Sequence, residues 1–387
     1  MKTLTLLLIA QSDPWLDSYA QAAGFLVKGQ DRDGLWSREL HDRRWPSMAL
    51  TVLAIDALVR MPADLRARHR EAIDRGIEAV LKAQDEKEGG WGEPPGQLKA
   101  YVTSIALAAL QAHDPEAHKE RIARARKFLV RLQHVDGSTG YNEIHYELVD
   151  GKLEPRAAKS GNLSTTGGPA EALAESGYKD RAYWDKVIKF VSQCQNMEEN
   201  ELDPEWARLL ELKGYKIGKD GGFFYHRDVD NPEHYGGFST DADEKKMLNS
   251  YGSMTYLGLK TYLYAGLSKE DLRVRAAVQW MRHNYTLERH PGFPFEADTP
   301  AARRKDRQGL YYYYLMMARA LDAWGERPFV TSDGKAHDWP REIAAKLIDL
   351  QEDDGSWFND QRRWWEDDRV LVTAYCMKIY AVLSKSR

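Results

Sequence analysis

The chain has 387 residues, 43% of them hydrophobic and 29% charged, which excludes wholesale disorder and leaves enough apolar surface for a large core. A net charge of −4 gives no global support for nucleic-acid binding or for adhesion to an anionic membrane. Two cysteines, Cys194 and Cys376, exclude a disulfide framework and any Cys-rich zinc site, and no apolar stretch reaches the ~18 residues of a membrane helix.

Met1–Ser12 places one lysine before an apolar run, Leu4 to Ala10. That outlines a signal peptide. An apolar segment packed on the body is the other reading, so residues 1–17 are set apart and the compartment stays open between cytoplasm and export. From residue 18 a unit recurs six times: an amphipathic helix, a Gln, a Gly-rich turn with an aromatic, then an apolar helix. The first copy is AAGFLVKGQDRDGLW with PSMALTVLAIDAL, and the second is GIEAVLKAQDEKEGGWG with YVTSIALAAL. The third is ARKFLVRLQHVDGSTGY, before PAEALAESG. The fourth, VIKFVSQCQN, is interrupted before DGGFFYH and SYGSMTYLGLKTYLYAG. The fifth is AAVQWMRHNY with QGLYYYYLMMARALDAWG, and the sixth AAKLIDLQEDDGSW with VLVTAYCMKIYAVL.

The first helices have a 3.6-residue period, with Ile122, Ala125, Leu129 and Leu132 on one face, so each packs on one side only. The second helices are apolar nearly all round and need cover on both sides. An inner ring of apolar helices inside an outer ring of amphipathic ones satisfies both. Six pairs can close that ring, which makes residues 18–387 a single all-α domain, an (α/α)6 toroid. Long connections occur at about 135–166, 196–247 and 284–308, each between an outer helix and the following inner helix. All three then lie on one rim and build a mouth over the centre. The inner-helix N-termini on that rim attract anionic groups. Trp45, Tyr101, Tyr251, Trp364 and Trp365 crowd the same joints. At about 100° per residue, the run Tyr311 to Tyr314 must turn one or two rings inward, Tyr311 and Tyr312 among the candidates.

The sets Gln30-Gly34-Trp36, Gln84-Gly90-Trp91, Gln133-Gly137-Tyr141 and Gln351-Gly355-Trp357 resemble the QW repeats of the squalene cyclase and prenyltransferase superfamily, with repeats four and five degenerate. The resemblance covers about residues 18 to 384 and implies the same toroid. It also implies a chemistry. Asp241 and Asp243, in FSTDADEKK, match the first two aspartates of the D-x-D-D-T motif of class II terpenoid cyclases, where Glu244 stands for the third and Lys245 breaks the motif. By that resemblance Asp243 is the proton donor and Asp241 its neighbour. A second acidic cluster, Glu366, Asp367 and Asp368, follows Trp364 and Trp365 and opens the last inner helix, where capping is the simpler role, while a rim of Trp, Trp and acid also suits a sugar or a cationic intermediate and makes Glu366 and Asp367 candidate binding residues. His226, Asp228, Asp230, Glu233 and His234 are dense enough for a metal, but their spacing fits no defined site. Cys194 falls on an apolar face with Val187, Phe190 and Val191, and no D-x-C appears, which argues against zinc-dependent prenyl transfer. No phosphate-binding loop or nucleophile elbow is present, and no metal or cofactor is assigned. The expected function is terpenoid-cyclase-like: an apolar or anionic small molecule bound in a central aromatic cavity and protonated by a carboxylic acid, with no nucleic acid and membrane contact left open. A carbohydrate-active toroid and a non-catalytic scaffold are the alternatives.

Overall fold

The computed structural model describes residues 14–40, 43–94, 97–142, 144–149, 152–157, 161–229, 236–293 and 302–385. In chain order the elements are α1 (Pro14–Gly29), β1 (Trp36–Leu40), β2 (Arg43–Ser47), α2 (Met48–Val59), α3 (Ala63–Arg68), α4 (Arg70–Lys82), α5 (Lys99–His113) and α6 (Lys119–Arg131). Then come β3 (Ile144–Val149), β4 (Lys152–Ala157), α7 (Leu163–Glu175), α8 (Arg181–Gln193), α9 (Pro204–Leu212), β5 (Phe238–Thr240), β6 (Lys246–Leu248), α10 (Gly252–Tyr264) and α11 (Leu272–Asn284). The chain finishes with α12 (Leu310–Trp324), β7 (Phe329–Val330), β8 (Ala336–His337), α13 (Trp339–Leu350) and α14 (Arg369–Ser384). Strands occur only as two-stranded antiparallel hairpins among the described residues.

Helix α2 packs on α5, α5 on α7, α7 on α10, α10 on α12, α12 on α14, and α14 back on α2, so six inner helices close a ring. The amphipathic α1, α4, α6, α8, α11 and α13 lie outside it, each against inner helices. The structure is thus the (α/α)6 toroid that the repeats imply. Each outer helix buries one stripe, as α6 does with Ile122, Ala125, Phe128 and Leu129. Large apolar side chains contribute roughly 1.5–3 kcal/mol each when removed from water.

The repeated Gln holds neighbouring units together. Gln30 Nε2 donates to Gly34 O in its own turn (3.2 Å) and to Ala72 O on α4 (2.9 Å). Gln84 repeats this with Gly89 O and Arg121 O, Gln133 with Gly137 O and Tyr183 O, and Gln351 with Gly355 O and Ser18 O. Every one of these amides therefore reaches from its own turn to the next outer helix, and Gln351 closes the circle onto α1. The aromatic that follows is tied at both ends. Trp36, Trp91 and Trp357 each donate the indole N–H to a carbonyl of their outer helix, at 2.8, 2.7 and 2.8 Å. Their backbone N–H groups donate to Thr51, Thr103 and Thr373 of the following inner helix.

Two repeats depart from the sequence alignment. In the third turn Thr139, not Tyr141, occupies the aromatic position, since its N–H donates to Thr166 Oγ1 at 3.0 Å. The fourth repeat is complete rather than degenerate. Gln195 Nε2 donates to Gly221 O (2.9 Å) and Arg273 O (2.8 Å), and Phe223 N–H to Thr255 Oγ1 (3.1 Å). Its insertion, with α9, lies between the Gln and the Gly. Repeat five replaces the Gln joint with ionic and phenolic contacts, in which Tyr285 Oη donates to Glu342 (2.9 Å), itself paired with His337 (2.9 Å).

Below the apolar N-terminal halves of the inner helices lies a buried ionic cluster. Asp56 pairs with Arg60 (2.6 Å) and Lys378 (2.5 Å), Glu171 with Lys260 (2.8 Å) and Arg319 (2.6 Å), and Glu175 with Arg60 (2.9 Å). The partners come from α2, α7, α10, α12 and α14 and cross the centre of the ring. Desolvation alone would neutralise these groups, yet the facing cations hold the carboxyls of Asp56 and Glu171 well below their ordinary range.

Candidate functional site

The N-terminal halves of all six inner helices enclose a cavity of roughly 260 Å³. Its wall residues on α2 and α5, for example, run from Ala49 to Leu53 and from Tyr101 to Ile105. Asp56 follows Leu53, and Lys378 follows Tyr375, by one further turn on the same helix face. The ionic cluster is therefore the floor. The wall is largely hydrocarbon and aromatic, from Leu50, Leu53, Ile105, Met254 and Leu371 with Tyr101, Tyr141, Tyr225, Tyr251, Tyr312 and Tyr375. All three long connections contribute to it, through Tyr141 and Ser164, Tyr225, and His290. They share the mouth, as their common topological position requires.

Among the described residues, one carboxyl lines the cavity. Glu366 is 0% exposed and lies at the N-terminus of α12, not of α14. Its oxygens accept from Tyr312 N (2.8 Å), Tyr311 N (3.3 Å) and Asn359 Nδ2 (2.6 Å). Burial outweighs these donors and pushes the carboxyl up to about 7, so both protonation states are populated near neutrality. The chain reaches this position through a strained turn. Trp364 and Trp365 have φ of 54° and 65°, which is costly for bulky side chains. Leu98, at φ 54°, lines the cavity as well, so three of the four described non-glycine residues with positive φ stand at the mouth. Gly309 (φ +64°) permits this packing, since a Cβ there would meet the Trp364 ring at 3.0 Å.

The remaining acids of the cluster have other roles. Asp368 caps α14 by accepting from Val370 N (2.9 Å) and Leu371 N (3.1 Å). Asp367 faces Arg362 at 3.9 Å and does not line the cavity. The imidazole of His290 is committed on both sides. Nδ1 faces Gln308 O at 2.7 Å, and Nε2 accepts from Ser253 N at 2.9 Å. Burial lowers its pKa to about 3, so it is a neutral wall element with no free nitrogen for proton transfer.

The residues singled out in the sequence divide clearly. Tyr101, Tyr251, Tyr312, Trp364, Trp365 and Glu366 come together in the cavity. Trp45 stands on β2, 54% exposed, and Tyr311 is buried against Tyr314, both outside the lining. Asp241 and Asp243 lie in the β5–β6 turn and are likewise absent from it. Asp241 Oδ1 accepts from Asp243 N (3.0 Å) and Lys245 N (2.8 Å), and its carboxylate pairs with Lys216. Asp243 is exposed. Two alternating carboxylates there serve a hairpin turn, because the strand ends before the helix that a cyclase motif would open. Of the His226 to His234 stretch, residues 230–235 lie outside the described residues, as do residues 1–13 of the N-terminal segment. No group of three or more His, Cys, Asp or Glu that could hold a metal occurs among the described residues. Ser164, Tyr225, Tyr375 and His290 were not anticipated. Tyr375 was legible as the residue four after Leu371 on the N-terminal half of an inner helix.

No family model matches the sequence. Dammaradiene synthase from Dryopteris crassirhizoma is 33% identical over 110 residues, 27% of this chain and 15% of that protein. The type II terpene cyclase MstE from Scytonema superposes with a TM-score of 0.54 at 13% identity, covering 96% of this chain and 99% of that one. A family 76 glycoside hydrolase from a bovine Bacteroides thetaiotaomicron strain gives 0.54 at 11% identity, over 97% and 78%. Closed ring, repeated Gln joints and these superpositions agree on one architecture: the chain has an (α/α)6 toroid fold.

Proposed function

We propose that the cavity binds an apolar, alkene-bearing isoprenoid and that Glu366 starts its cyclisation by protonation. The observation that carries this is a fully buried carboxyl, the one such group among the described lining residues, raised to about 7 and facing a hydrocarbon and aromatic cavity. A variant of MstE bound to geranylgeranyl dihydroxybenzoate lends support from the same fold. In the proposed step the Glu366 O–H bond breaks, the alkene π pair forms the new C–H bond, and the adjacent carbon becomes cationic. A second alkene closes the ring, and the final cation loses a proton or takes up water. The rings of Trp364, Trp365, Tyr312 and Tyr375 offer negative π faces to the cation. The carboxylate left behind is held by the Tyr312 and Tyr311 N–H groups and Asn359, at the positive end of α12.

The test is turnover of an isoprenoid panel followed by mass spectrometry. Glu366→Gln should lower turnover at least ~100-fold, the usual scale for a general acid, with the helical circular dichroism unchanged. Glu366→Asp retains an acid at shorter reach and should keep partial activity. Full activity in a folded Glu366→Gln protein would refute the proposal.

A further inference from the structure

Three hydroxyls meet on the cavity wall, from α5, α7 and α12. The Tyr101 phenol hydrogen-bonds Ser164 Oγ, the Tyr312 phenol interacts with the same serine, and all three residues line the cavity. Three hydroxyls carry three protons, and the Tyr101–Ser164 bond uses one of them. At least one O–H remains without an acceptor inside the cluster, next to an apolar space, where an unmet donor costs free energy. A ligand oxygen placed there removes that cost. Among the described residues no Lys or Arg lines the cavity, so a neutral oxygen suits it better than a carboxylate or phosphate.

Tyr312 sets the distance from this cluster to the acid. Its backbone N–H donates to Glu366 at 2.8 Å, while its phenol reaches Ser164. The two polar points of the cavity are thus separated by about one tyrosine side chain. We infer that the ligand is an oxygenated isoprenoid, an alcohol, ether or carbonyl compound, whose oxygen sits at the Tyr101–Ser164–Tyr312 cluster while an alkene a few carbons away faces Glu366. The inference rests on the isoprenoid reading of the cavity and narrows its substrate class. Size agrees with a short chain. A cavity of about 150 Å³ holds benzene, so the 260 Å³ here suits a chain of roughly ten carbons.

The experiment compares two ten-carbon probes, the hydrocarbon β-myrcene and the alcohol geraniol, by tryptophan fluorescence titration of the full chain. In the triple variant Tyr101→Phe/Ser164→Ala/Tyr312→Phe, which removes every donor of the cluster, geraniol should bind roughly tenfold more weakly and β-myrcene within about twofold of wild type, since one hydrogen bond is lost for the alcohol alone. If that variant does not fold, the wild-type protein decides: geraniol should bind at least as tightly as β-myrcene, and much weaker binding of the alcohol overturns the inference. Equal weakening of both probes, or no change in either, overturns the inference but leaves the isoprenoid reading standing. If neither probe binds the wild-type protein, both fall.

Discussion

Two opposed environments meet at Glu366. Burial favours the neutral acid, while the α12 N-terminus and Asn359 favour the anion, and burial prevails. Activity that needs the protonated acid should therefore be level at low pH and fall as pH rises through about 7. Asn359→Ala removes a 2.6 Å donor to the charged form, so the falling limb should move to higher pH. A pH–rate profile of both proteins checks this, and a downward or absent shift would contradict the assignment. The same group affects stability. Its native pKa lies above the usual carboxyl value of 4.5, so the native state binds the extra proton and its contribution declines as pH rises from 4.5 through about 7. The acid was visible in the sequence only as one of three adjacent carboxylates. Their separate fates depend on the αL turn at Trp364 and Trp365, which no periodicity reveals. Asp241 and Asp243 carried the stronger motif resemblance, yet the β5–β6 turn uses them locally.

At the scale of elements, the joint between outer and inner helices is the unit of construction. Gly137 shows how tight it is. With φ +88°, an added Cβ would lie 2.0 Å from Lys186 O on α8, so both conformation and space demand glycine. Gly137→Ala should destabilise the fold by about 2 kcal/mol or more, read as a lower midpoint in urea. Gly177→Ala, also at positive φ but with no atom within 4 Å of the added Cβ, should cost less. The joints were the most legible part of the sequence because Gln, Gly and Trp recur at nearly fixed spacing. The reading slipped where spacing gave way. Thr139 fills an aromatic place because its backbone, not its ring, makes the required bond to Thr166. Gln195 finds its glycine only at Gly221, across α9.

Across the whole molecule, the ionic floor links five inner helices, α2, α7, α10, α12 and α14. It escaped sequence analysis because Asp56, Glu171, Lys260, Arg319 and Lys378 are single charges in helices whose average character is apolar. Removing one partner leaves its neighbours buried and unpaired. Glu171→Gln should cost about 3–5 kcal/mol by stranding Lys260 and Arg319. The wild-type floor also predicts acid sensitivity. Glu171 titrates at about 2 in the fold against an ordinary 4.5, so its contribution is fully present above 4.5 and is lost as pH falls towards 2. Melting temperature should drop steeply across that window, and the slope should be shallower in Glu171→Gln.

The closed ring has a further consequence, for the order in which the protein becomes chemically competent. Of the twelve ring helices, α14 is the last to be synthesised, and it must insert between α12 and α2 while α1 waits to cover it. Glu366, Trp364, Trp365 and Tyr375 all belong to that last stretch. A nascent chain that has completed five units is an open slot with most of its wall but none of its acid. If Glu366 is the acid proposed above, binding surface comes first and reactivity last, so a chain still folding lacks the carboxyl needed to start a reaction that it could not yet shield from water.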